Sequence, residues 1–315
     1  MKLAIILNST DKVLIASRYK YTKLLRYIYG EDMQIFDERE FQKAKIWKPD
    51  YCIVFGSFRN TFKLPLQQGI PYILCDHDII SLYRSGEKHN EFRKIRGAKK
   101  IIFTSPDHQL YIIKQYGIPA DKTMVLYLRH SKDDIDFEPM KKIPGKNLVY
   151  IGGLLDNSFA NHMDGKFSYR CYTDIFKTII SNGWNVHLYA ARKRPEIYTK
   201  IGCIYHPRFE EGKDLFRELS QYTAGLQGFA NNNASFNYAK TCRPNKIWNY
   251  LAAGIPTIGI NPGNGINIYE RKWGCELKNL DEINSLDFSN LDLNRYRQME
   301  IIENQAEELK RFIES

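Results

Sequence analysis

The chain has 315 residues, 43% of them hydrophobic and 26% charged, with a formal net charge of +10. That length suits about two domains at roughly 100–200 residues each, and the cation excess bears on partners rather than on fold. Every apolar run is shorter than the roughly 18–20 residues of a membrane-crossing helix, which excludes an integral helical membrane protein.

In chain order, MKLAIILNSTDK reads as a first strand, because Asn8, Ser9, Thr10 and Asp11 interrupt the apolar run before a signal-peptide core is complete. The segment 12–30 carries five cations, four tyrosines and no acid. Short β-branched or aromatic runs at 33–36, 51–56, 71–75, 100–104 and 124–128 alternate with amphipathic stretches of helical length. This is the pattern of a parallel sheet wrapped by helices. Within it, 84–100 has seven cations and two carboxylates. Either basic segment is a solvated helix face or a surface for an anionic acceptor. Arg18, Lys20, Lys23, Arg84, Arg93 and Arg96 are the candidate acceptor-binding residues.

A polar break at 129–147 with Pro139, Pro144 and Gly145 reads as a linker. Strand-like runs resume at 147–153, 185–190, 202–206, 224–229 and 257–260, and 294–315 reads as one long final helix. The expected architecture is α/β: two doubly wound Rossmann-like domains facing a cleft, at 1–140 and 141–290, with a terminal helix over 291–315 packing back on the first. Cysteines 52, 75, 171, 203, 242 and 275 form no C-x-x-C pair and are spaced too widely for a zinc knuckle or disulfide framework. Reduced thiols in a cytosolic protein are the expectation.

No G-x-G-x-x-G follows the first strand and no P-loop occurs, which argues against a nicotinamide dehydrogenase and a P-loop ATPase. Gly152 and Gly153 after the strand at 147 suit either a phosphate cradle or a tight strand exit. In CRPNKIWNYLAAGIPTIGI, 242–260, Pro244 suits a first helical turn, Gly254 a left-handed C′ position and Pro256 a stop before a strand. Arg243 and Lys246 flank that helix start, where free N–H groups also favour an anion, so a diphosphate can be neutralised there without a metal. Asp133, Asp134 and Asp136 mimic a D-x-D metal motif but fall in the linker, so no metal site is expected. Asp76, His77 and Asp78 lie just past the fourth strand, where general-base chemistry has its residue types.

The segments YIGG at 150–153, YHPRF-x5-LF-x-x-L from Tyr205 and PNKI-x-x-YLAAGIP at 244–256 resemble the donor-binding half of GT-B glycosyltransferases, particularly the family 4-like group. The resemblance implies an N-terminal acceptor domain, a C-terminal domain for a nucleotide-diphosphate sugar (a UDP-sugar favoured, with no cofactor) and a retaining transfer. It implies Gly152, Gly153, Arg192, Arg208, Phe209, Lys240, Arg243, Asn245, Lys246 and Asn249 for the donor, and His77, Asp78 and Asp76 for catalysis. Two glutamates of the family, one of them for the ribose, fall here on Thr241 and Asn249, and its arginine after the glycine turn on Leu154. Asn249 can still hydrogen-bond a diol.

The basic segments 12–30 and 84–100 fit a hydroxyl of an anionic or membrane-associated acceptor, a surface or lipid-linked glycan, with the protein cytoplasmic or peripheral to the inner membrane face. Hydroxylated bases in DNA, a sugar-nucleotide epimerase and a non-catalytic nucleotide binder stay open.

Overall fold

The computed structural model describes residues 1–7, 16–56, 61–77, 88–155, 170–190, 196–207, 209–229, 241, 244–260 and 270–315. The chain divides into two compact units, one of Met1–Ser131, Thr241–Arg243 and Ile302–Ser315, the other of Lys132–Lys240 and Pro244–Ile301.

The first unit holds a parallel sheet of β1 (Leu3–Leu7), β2 (Met33–Asp37), β3 (Tyr51–Gly56), β4 (Tyr72–Asp76), β5 (Lys100–Phe103) and β6 (Thr123–Val125), in the order β2-β1-β3-β4-β5-β6. β1 and β4 are buried at every position, as continuous apolar runs covered on both faces must be. The helices are α1 (Ala16–Tyr29), α2 (Phe41–Trp47), α3 (Lys63–Gln67), α4 (Lys88–Gly97) and α5 (Pro106–Tyr116). On one side of the sheet Ile6, Val54, Leu74, Ile101 and Phe103 join Ile95 of α4 and Ile112 of α5 in one apolar cluster. Local chemistry sets the ends of α5. Ser105 caps its start by accepting from His108 N–H at 3.1 Å, Pro106 begins it, and left-handed Gly117 closes it with an N–H to Ile113 O at 2.9 Å.

The second unit repeats the plan with β7 (Asn147–Gly152), β8 (Asn185–Ala190), β9 (Ile204–Tyr205), β10 (Ala224–Gln227), β11 (Thr257–Ile260) and β12 (Gly274–Leu277), ordered β12-β11-β10-β7-β8-β9. Strand order reverses between β7 and β10, the switch point where such sheets take ligands. Its helices are α6 (Thr173–Ser181), α7 (Glu196–Lys200), α8 (Lys213–Leu219), α9 (Lys246–Ala252) and α10 (Leu293–Met299). β12 was not expected from the sequence: GCEL is short and only its two end residues are buried, so it lacks the apolar run that marks the other strands.

α9 ends as its sequence dictates. Gly254, at φ +68, donates to Leu251 O at 2.9 Å, and Ile255 N–H reaches Tyr250 O at 3.0 Å, the paired bonds of a Schellman turn. Tyr250 then ties the helix to the sheet. Its hydroxyl accepts from Ile151 N–H at 3.3 Å and faces the carbonyls of Leu226 at 3.1 Å and Val149 at 3.3 Å, filling the gap where β7 and β10 part. The ring lies on Gly225, where a Cβ would come within 2.3 Å of it. Gly225→Ala is therefore expected to destabilise the protein by about 1–3 kcal/mol, read by urea denaturation, since the ring cannot retreat without breaking the hydroxyl's bonds.

One expectation is corrected. The tail is not one helix: α10 ends at Met299, and a 3-10 turn Ile302–Gln305 precedes α11 (Ala306–Glu314). Ile302 N–H donates to His130 O at 2.8 Å instead of continuing a helical ladder. The polar stretch 129–147, read as the linker, contains the boundary between the units after Ser131, and its Ile135, Phe137 and Ile143 pack on the core beneath α8 and α9. Arg297 of α10 clamps it, donating to Ile135 O and to Ala252 O at the end of α9, each at 2.6 Å.

Candidate functional site

In the first unit, the carboxyl end of β4 gathers a buried polar group. Asp76 is 0% exposed, accepting from Lys94 Nζ of α4 at 2.9 Å and from His108 Nε2 of α5 at 3.2 Å. Burial alone would raise its pKa, but the charge of Lys94 and the contact with His108 outweigh it and hold the carboxyl below its usual range. The space exists because β3 ends in Gly56, where a Cβ would sit 2.1 Å from Asp76 Oδ1. Asp76, expected among the reacting carboxylates, instead has both oxygens occupied in the interior, so it anchors α4 and α5 to the strand end.

His77, the next residue, differs. Its ring stacks on Phe55 at 5.9 Å and leans on Tyr21 at 5.4 Å, while both ring nitrogens are buried without a hydrogen-bond partner among the described residues. Arg18 lies over the other neighbour of this group, the Phe55 ring, at 5.9 Å. Burial depresses the His77 pKa to about 3, against the opposing pull of Asp76, so the imidazole is neutral at pH 7. A depressed histidine takes up its proton more readily when unfolded. Stability is therefore expected to fall as pH drops from about 6.5 towards 3, by up to about 1.4 kcal/mol per pH unit from this one group. Urea titrations of His77→Asn across that window should show a shallower slope than the parent; an identical slope would mean His77 does not govern it.

The acceptor-side cations scatter. Lys20 is 1% exposed and so does not belong to a surface, and Lys23 donates to Ser131 Oγ at 2.5 Å. Arg93 and Arg96 are exposed on α4, with Arg96 over the Phe92 ring at 5.4 Å. Asp78 and Arg84 lie outside the described residues.

In the second unit, the switch point collects several of the expected donor residues. Gly152 leaves β7 at φ +138, open to glycine alone, and a Cβ on Gly153 would sit 2.9 Å from Arg170 Nη1. Tyr150 reaches Gly153 O with its hydroxyl at 3.3 Å, and Lys246 Nζ sits 4.0 Å above the same ring. A glycine turn and two cations thus meet around Tyr150. Asn245 at the start of α9 has its Oδ1 buried without a hydrogen-bond partner among the described residues. Asn249, on the same helix, donates to Glu211 Oε2 at 3.0 Å. Phe209 packs against Tyr189 at 6.0 Å. Arg192, Arg208, Lys240 and Arg243 lie outside the described residues.

Arg170 and Glu211 escaped the sequence reading. Arg170 belongs to no motif, and only its place just before α6 hinted at it. Glu211 had a faint signal in Glu210-Glu211-Gly212, where Gly212 takes φ +135 ahead of α8. Of the three linker aspartates Asp134 is buried and Asp133 and Asp136 are exposed. Among the described residues no three His, Cys, Asp or Glu side chains come together as metal ligands. Burial raises the Cys52 and Cys203 thiols to about 12, as suits packed neutral thiols. No helix of the described residues is long and apolar enough to cross a membrane.

Compared with models of protein families and with curated proteins, the chain matches none. Among solved structures it is similar to a glycosyltransferase from Rickettsia africae (11% identity, TM-score 0.60), covering 99% of this chain and 98% of that one. It is similar to HepE of Anabaena in complex with UDP and glucose (13% identity, TM-score 0.60; 98% and 99% covered). OtsA matches at TM-score 0.63 with 8% identity over 98% of each chain. The shared architecture, two six-stranded parallel sheets each wrapped by helices, is the GT-B fold.

Proposed function

We propose that the chain is a glycosyltransferase that moves a sugar from a nucleotide-diphosphate sugar to an acceptor hydroxyl. The observation that carries this reading is the meeting of Gly152, Gly153, Arg170 and Lys246 at the switch point of the second sheet. Close backbone approach and two cations are what a diphosphate requires. The fold it shares with glycosyltransferases, one of them solved with UDP and glucose, supports the reading.

In this scheme Arg170 and Lys246 take up the charge that develops on the leaving diphosphate as the bond from the anomeric carbon to phosphate breaks. No metal is required for that role. Neutral His77 positions and polarises the reacting hydroxyl, and Asp76 keeps the strand end in place. Retention of configuration follows from the resemblance; the leaving phosphate then accepts the hydroxyl proton as the new glycosidic bond forms. Exposed Arg93 and Arg96 beside Phe92 favour an anionic or membrane-associated acceptor.

A thermal-shift series with UDP-, GDP- and CDP-sugars in EDTA tests the reading, and at least one is expected to raise the melting temperature. No shift with any of them, or with free UDP or GDP, would count decisively against it. Lys246→Met is expected to weaken the stabilising nucleotide by about tenfold to a hundredfold, the loss of one charge-assisted contact, without lowering the melting temperature of the free protein by more than a few degrees.

A further inference from the structure

Tyr150 belongs to β7, and its ring lies on the face of the sheet that α6 covers, in one apolar cluster with Leu148, Tyr172 and Phe176. α9 packs on the opposite face, where its Tyr250 and Ala252 join Val149 and Ile151, because successive side chains of a strand point to opposite sides. Lys246 is the first residue of α9, yet its Nζ stands 4.0 Å from the centroid of the Tyr150 ring. The lysine side chain therefore crosses the carboxyl edge of the sheet, beside the switch point where such sheets take their ligands.

The ring that holds the ammonium is itself fixed on several sides. Its hydroxyl donates to Gly153 O at 3.3 Å, in the glycine turn that leaves β7. Tyr172 leans on it at 4.9 Å and 51°, and Phe176 meets it edge-on at 5.9 Å and 68°. Tyr172 is anchored in turn, its hydroxyl donating to Gly228 O at 2.6 Å just past β10 and its N–H to the Tyr198 hydroxyl at 2.9 Å. One rigid ring, 2% exposed, thus sets where the ammonium stands relative to the glycine turn. A lysine stem is flexible and loses freedom on binding an anion; one already held over a ring has lost it beforehand. The ring face attracts the cation without neutralising it, so the charge stays available to a phosphate. Arg170 lies against Gly153 itself, where a Cβ would meet its Nη1 at 2.9 Å, and Lys246 stands over the middle of the ring rather than at its hydroxyl end. The two cations are set apart, as two phosphates are.

We propose that Tyr150 is a positioning residue for the diphosphate, its ring holding Lys246 beside the glycine turn so that the ammonium meets the second phosphate of the bound nucleotide. The inference rests on the donor reading above.

Calorimetric titration with UMP and UDP, and with GMP and GDP, tests it on the unaltered protein, on Tyr150→Phe, which keeps the ring face, and on Tyr150→Leu, which removes it. The unaltered protein is expected to favour the diphosphate of whichever pair it binds by about tenfold or more. Tyr150→Phe should keep that ratio to within about twofold, and Tyr150→Leu should lower it by about fivefold or more. A merely structural role would weaken monophosphate and diphosphate alike and leave the ratio unmoved. With Lys246→Met in place there is no ammonium to hold, so adding Tyr150→Leu is expected to change the ratio by no more than about twofold. Proton NMR of the unaltered, nucleotide-free protein gives a readout that survives if Tyr150→Leu fails to fold. The ring current should place the Lys246 ε-methylene signal, identified by its loss in Lys246→Met, upfield of those of exposed lysines. Equal binding of monophosphate and diphosphate, a ratio unmoved in Tyr150→Leu, an undiminished further loss in the Lys246→Met background, or a Lys246 signal among those of exposed lysines would overturn the inference and leave the donor reading intact. If neither diphosphate binds, the donor reading falls and this inference with it.

Discussion

Replacing Asp76 by Asn is expected to destabilise the protein by about 3–5 kcal/mol, enough to unfold a marginal domain at physiological temperature. The substitution keeps the shape of the side chain and removes its charge, leaving Lys94 Nζ, whose side chain is 4% exposed, with a neutral amide in place of a carboxylate. Desolvating an ammonium without a counter-charge is the large term; the lost hydrogen bond to His108 adds to it. A urea midpoint that falls with an unchanged m-value would be the signature. Pairing Asp76→Asn with Lys94→Met removes both charges, and much of the loss should return. If the single substitution costs less than about 1 kcal/mol, the pair is not the anchor described above. The sign against pH follows from the depressed carboxyl. Its contribution is complete above the ordinary aspartate value and is lost as pH falls below it towards the lower folded value.

Replacing His77 by Ala is expected to reduce donor turnover by about 10²–10⁴-fold while nucleotide affinity stays within about twofold. Three features of the imidazole argue for this. It stands at the carboxyl end of β4, its two nitrogens have no hydrogen-bond partner among the described residues, and its depressed pKa keeps it neutral at pH 7. An unpartnered buried imidazole costs stability, and a substrate hydroxyl is a partner that would repay it. The groups proposed to face the diphosphate, Arg170 and Lys246, are other residues than His77, so binding and turnover should separate. Initial rates at saturating donor, beside a UDP binding isotherm, give both numbers. Turnover within threefold of the parent would remove His77 from the chemistry, and a parallel loss of affinity would recast it as a binding residue.

Much of the molecule was legible because its signals are local. The apolar runs at 51–56 and 147–153 became β3 and β7, and the pairing of Gly254 with Pro256 foretold the end of α9 to the residue. Failures came where a remote partner overrode a local period. Residues 294–315 have helical spacing throughout, but a carbonyl 172 positions earlier, His130 O, takes the N–H of Ile302 and breaks the helix. Lys20 sits in a run of exposed-looking cations, and packing alone turned it inward.

The candidate site divides the same way. From the sequence came the glycine turn, Lys246, His77 and the absence of a carboxylate at position 249, since each is a residue type at a strand or helix end. The carboxylate that meets Asn249 comes from Glu211, 38 residues away, and the triad on Asp76 spans separations of 18 and 32. By itself the sequence determined the alternation of strands and helices, the two parallel sheets and where the chain must turn, because periodicity and turn chemistry act within a few residues. Only the tertiary structure decided which charges are buried and which histidine, among the described residues, has its ring nitrogens enclosed without a hydrogen-bond partner. Burial and hydrogen-bond direction depend on what a distant segment brings alongside.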